Sequence, residues 1–99
     1  MLCVLAVEPG SGRELDAPPS FEILRAHSAE DALEKLSRNR RIDAVLFFDD
    51  ETARATTLLL SEDGGVSPPL FRNGPSGVIG VVPLDPGSLF EDLQSRLGG

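Results

Sequence analysis

Gly77-Val78-Ile79-Gly80-Val81-Val82-Pro83-Leu84-Asp85-Pro86 passes, after two residues, into Leu89-Phe90-Glu91-Asp92-Leu93, a strand pattern running into a helix pattern. Val78 to Val82 are apolar and mostly β-branched, as a strand requires. Pro83 has no N–H to give a ladder and closes the strand. Asp85 is a helix-capping residue with a proline behind it at the first helical position. Leu89, Phe90 and Leu93 then recur at the spacing of one helical face. A strand that hands over to an amphipathic helix is half of an α/β unit.

The remainder of the chain supplies the other halves. Leu2 to Val7 is an unbroken apolar run, the pattern of a central strand covered on both faces of a parallel sheet. Residues 9 to 20 are rich in Pro and Gly and hold one leucine, Leu15, so they read as a loop. Phe21 to Ala26 is a second strand. Ser28 opens a helix to Arg40, with Ser28 as N-cap, Asp31 three residues on, and Ala29, Ala32, Leu33 and Leu36 on one face. Asp31 with Lys35 and Glu34 with Arg38 form favourable pairs four residues apart. Ile42 to Phe48 is a strand interrupted only by Asp43. Asp49-Asp50 then supply a loop or a helix cap before a helix whose apolar positions are Ala55, Leu58 and Leu59, although its threonines and the Leu58-Leu59-Leu60 run also suit a strand.

Glu62 to Pro69 is a connector and Pro69 to Arg72 a short strand. Only Asn73 to Gly77 separate it from the closing strand. A parallel return ordinarily takes about a dozen residues, so the two segments are either parallel strands without a crossover helix or a hairpin, which Asn73-Gly74 favours locally.

The segments VLAVE, SAEDALEKL and VIGVVPLDPGSLFEDL resemble response-regulator receiver domains, and the likeness covers most of the chain from Leu2. The resemblance implies a flavodoxin-like three-layer α/β sandwich, with a mostly parallel sheet of four or five strands and with the first and fourth helices lost. It also implies a site at the carboxyl ends of the strands. A working receiver has two acidic residues after its first strand, a phospho-accepting aspartate after its third, a Ser/Thr after its fourth and a lysine before the proline of its fifth. The carboxylates hold Mg²⁺, and the cationic and hydroxyl groups stabilise the product.

This chain keeps only part of that set. Glu8 matches the first acidic residue, but Pro9 stands in place of the second. Asp49 matches the phospho-acceptor, while counting from Asp43 places Phe48 there. Asn73 or a neighbour stands at the Ser/Thr position, and Val82 replaces the lysine. The resemblance therefore leaves Glu8, Asp49 and Asp50 as a vestigial acidic site, with no catalytic residue, no cofactor and at most weak Mg²⁺ binding. Asp49 has a simpler use as the cap of the helix that follows.

Other features exclude more than they include. Sixteen acidic residues against nine basic ones leave a formal charge of −7, the wrong sign for a nucleic-acid surface. Arg38, Arg40 and Arg41 fall where a helix ends, and the helix dipole accounts for them. Gly10-Ser11-Gly12 lacks both the third glycine of a dinucleotide loop, where Leu15 stands, and the Gly-Lys-Ser/Thr of a P-loop, so it reads as a turn. His27 has no second histidine near it and flanks the Ser28 cap. Cys3, the one cysteine, lies in a strand and reads as a small core residue. The Leu2–Val7 run is too short for a membrane span and lacks a basic leader, which points to a cytoplasmic protein.

The expected function is that of a non-catalytic pseudo-receiver working through protein contacts in signalling. The alternatives are a switch phosphorylated on Asp49, and a small phosphotransferase, for which Cys3 sits at the wrong end of the first strand. Strands apolar on both sides with too few helices to cover them predict an exposed patch, and hence a homodimer.

Overall fold

A computed structural model of the chain describes residues 2–8, 17–39, 41–63 and 67–98. Its strands are β1 (Leu2–Val7), β2 (Phe21–Ala26), β3 (Ala44–Phe47), β4 (Leu70–Asn73) and β5 (Val81–Leu84). The helices are α1 (Ala29–Arg38), α2 (Asp50–Asp63) and α3 (Leu89–Gly98), the last entered through a 3₁₀ turn at Pro86–Ser88. The strands form one sheet in the order β2-β1-β3-β4-β5, and every adjacent pair is parallel. This is the flavodoxin-like order, whose chain direction switches between β1 and β3.

Alternation along the strands divides the core into two layers. Cys3, Leu5, Val7, Val45 and Phe47 pack on one face with Ala32 of α1 and Ala53 of α2. Val4, Ala44 and Leu46 point to the other face and meet Leu89 and Leu93 of α3. The central strands need cover on both sides, and they have it: Val4, Leu5 and Val7 of β1 and all four residues of β3 are fully buried. At the end of the second layer Phe21 of β2 packs on Phe90 of α3, with ring centroids 5.2 Å apart and planes tilted by 53°.

Helix α1 forms as its sequence dictates. Ser28 Oγ accepts the Asp31 N–H at 3.1 Å, and Asp31 Oδ2 reaches back to accept the His27 N–H at 2.9 Å. The pairs Asp31–Lys35 (3.4 Å) and Glu34–Arg38 (2.9 Å) both form. Ala29 and Ala32 are buried, while Leu33 and Leu36 are half-buried. The helix stops at Arg38 rather than Arg40, and Arg40 itself lies outside the described residues.

Helix α2 turns a different face to the core from the one its leucines suggest. Thr52, Ala53 and Thr56 are buried, whereas Ala55 is exposed and Leu58 is 61% exposed. A threonine is tolerated at Thr56 because its hydroxyl needs no partner outside the helix. Thr56 Oγ1 donates to the Thr52 carbonyl at 2.8 Å and Thr57 Oγ1 donates to that of Ala53, which leaves the methyl groups to pack.

The closing strand also departs from its pattern. Val81 N–H donates to the Val78 carbonyl at 3.2 Å and Gly80 takes φ +88°. That left-handed conformation is cheap only for glycine, and it turns the chain before the strand begins. The strand is therefore Val81–Leu84, not Val78–Val82, and Ile79 stands 96% exposed in the turn. Pro83 lies within β5 rather than at its end. It is accommodated because β5 is an edge strand whose outer side needs no N–H. The register Leu70↔Val81 to Asn73↔Leu84 is parallel, which disposes of the hairpin.

The return from β4 to β5, Gly74–Gly80, contains no helix, so the fourth helix of the resembled fold is absent. The counterpart of the first helix would fall largely in residues 9–16, outside the described residues, as does the Gly10-Ser11-Gly12 turn. The expected bare sheet face is not present among the described residues, where the exposed large apolar side chains are Leu58 and Ile79, one on a helix and one in a turn. Among the same residues no helix is long and apolar enough to cross a membrane.

Candidate functional site

In an open parallel sheet the ligand crevice lies beyond the carboxyl ends of the strands, at the switch between β1 and β3. Glu8 follows β1 directly, its N–H extending the ladder to the Ala26 carbonyl at 3.0 Å, and its side chain is half-buried. Phe48 and Asp49 follow β3. Phe48 packs on the α3 layer, so it is core rather than a reactive position. Asp49 Oδ1 accepts the Thr52 N–H at 3.1 Å and so caps α2.

Asp50, the next residue, leaves in another direction. Its Oδ1 lies 3.0 Å from Arg72 Nε of β4. Arg72 Nε is buried and makes no aligned hydrogen bond, so the attraction is Coulombic rather than directional. Both Asp50 carboxylate oxygens accept the Gly77 N–H at 3.2 Å. A side chain on Gly77 would come within 3.0 Å of Asp50 Oδ2, so glycine permits the approach. Arg72 Nη1 donates to the Asn73 carbonyl at 3.0 Å. Asn73 Oδ1, next along the strand, is buried without a hydrogen-bond partner.

The expected acidic site is therefore divided. Asp49 serves its own helix, and Asp50 ties β4 and the β4–β5 return to the start of α2. Among the described residues, no group of three or more His, Cys, Asp or Glu side chains is placed to hold a metal ion. Val82 is half-buried and packs on the α3 layer, and the carboxyl end of β5 is Leu84 rather than Val82-Pro83. The cation at this edge of the sheet is Arg72, 17% exposed. Its signal in the sequence is a charge directly after the apolar pair Leu70-Phe71 in a strand, which needs a partner once buried.

Two titratable groups elsewhere carry shifted pKa values. Burial pushes the Cys3 thiol up, and Glu22 and Asp43 add to the shift, so Cys3 is a neutral core residue at pH 7. Asp43 lengthens the β1–β3 contact: its Oδ2 accepts the Cys3 N–H at 2.8 Å while its own N–H donates to the Cys3 carbonyl at 2.7 Å. The Asp31 carboxyl is held below its ordinary value, first by the His27 N–H and then by Lys35. His27 is exposed beside the cap.

No protein-family model matches this chain, and neither the curated proteins nor the solved structures return a match to it.

Proposed function

We propose that this domain is a receiver-like module that has given up phosphoryl transfer and works by binding another protein. The observation that carries the reading is the engagement of Asp50 with Arg72 and Gly77. A carboxylate committed to a guanidinium and a backbone amide is a poor ligand for Mg²⁺, which takes near-octahedral oxygen donors. With Val82 in place of the cationic group, nothing at β5 offsets the charge of an incoming phosphoryl group. The excess of negative charge argues for a protein partner over a nucleic acid.

A second reading, a switch phosphorylated on Asp49, is favoured by one observation. Asp49 and Glu8 follow the two strands that flank the switch point, where a substrate would enter. Incubation with acetyl phosphate and Mg²⁺, followed by intact mass, separates the two. The expected result is no mass gain. A Mg²⁺-dependent gain of one phosphoryl group, lost in Asp49→Asn, would overturn the first reading in favour of the second.

A further inference from the structure

The Gly74–Gly80 return replaces a helix with a segment that has its own hinges and its own latch. Gly74 and Gly80 take φ +101° and +88°, and they are the residues with positive φ among those described. They bracket the segment. Residues 75 to 79 between them belong to no helix or strand. Three contacts fasten the middle of this stretch to the rest of the fold, one of them the bond from Val81 N–H to the Val78 carbonyl at 3.2 Å. Gly77 N–H bonds both oxygens of Asp50 at 3.2 Å, and Val78 packs on the layer that contains Leu70 and Val81. The bonds between Ser76 and Val78 are local to the segment. Asp50 is held in turn by Arg72.

We propose that residues 75–79 form a strap with two positions, latched shut by the Asp50 carboxylate and able to swing on Gly74 and Gly80 while the sheet stays folded. Closed, the strap seats Val78 on the core layer to which Leu70 and Val81 belong, at the sheet edge where a crossover helix would otherwise lie. Open, it uncovers that edge and frees Asp50 from one partner. The latch is weak enough to work: Asp50 and Arg72 side chains are 38% and 17% exposed, so salt screens their attraction in part. The inference uses only the geometry of the return and holds or fails independently of the receiver-like reading.

Residue-resolved amide hydrogen exchange on the full chain tests it. In Asp50→Asn the Gly77 and Val81 amides should exchange at least about tenfold faster, the factor expected for losing one hydrogen bond to a charged group. Amides of β1 and β3 should keep their wild-type rates. Gly77→Ala, which pushes a methyl group against Asp50 Oδ2, should have the same effect by a different route. Raising salt on the wild type to about 1 M should shift the same two amides in the same direction, and this reads the latch even where a variant does not fold. Unchanged rates at Gly77 and Val81 in both variants and in salt would overturn the proposal. So would rates that rise in parallel across β1 and β3, because the segment would then open only with the whole domain.

Discussion

At the scale of single residues, the short polar side chains carry more of this structure than the charged clusters do. Ser28 and Asp31 together satisfy donors at the start of α1, a position where unpaired N–H groups are otherwise left to water. Ser28→Ala should cost about 0.5–2 kcal/mol in chemical denaturation, and no loss at all would place the helix start elsewhere. Asp31 adds a pH dependence of known sign. Its folded pKa lies below the ordinary 3.8, so the stability it contributes is fully present above that value and is lost as pH falls through the lowered pKa. The difference in melting temperature between wild type and Asp31→Asn should therefore be constant near neutrality and shrink in acid. A difference that persists undiminished at pH 2 would mean that the carboxylate charge is not its source.

At the scale of elements, α2 shows how tertiary contacts override a leucine pattern. The run Leu58-Leu59-Leu60 attracts attention, yet the helix is rotated so that Thr52, Ala53 and Thr56 face the sheet. Small residues let a helix approach the strands closely, and threonine is small once its hydroxyl is returned to its own backbone. Leu58→Ala should then change stability by no more than about 0.5 kcal/mol. Thr56→Ser, which removes a fully buried methyl, should cost about 1 kcal/mol. The opposite ranking in urea titrations would show that α2 presents Leu58 to the core after all.

At the scale of the whole molecule, the expectation of self-association rested on strands apolar on both faces and too few helices. The described residues leave no such face bare, because α1 and α2 cover one layer, α3 covers the other, and Val78 reaches into the first. Among the described residues Leu58 and Ile79 are the exposed large apolar ones, and singly exposed residues of this kind are ordinary on a monomer. With an excess of seven negative charges on each copy, we expect a monomer by light scattering at micromolar concentration. A dimer abolished by Ile79→Ser would reverse that expectation and make the turn at Val78–Val81 the interface.

The alternation of strands and helices is written locally in the chain, because a doubly buried strand must be an unbroken apolar run and a capped amphipathic helix carries its own periodicity. Leu2–Val7, Ser28 with its helix, and the Asp49 cap were legible for that reason. The start of β5 was not, since Val78 and Ile79 satisfy a strand pattern and only the left-handed Gly80 turns them out of it. Which face of α2 is buried, and that Asp50 engages Arg72 and Gly77 instead of joining Asp49 and Glu8 in one acidic site, follow only from contacts across the fold. Those choices join residues more than twenty positions apart. Their geometry is fixed only when parallel pairing sets β4 beside β3, and no local spacing in the chain encodes it.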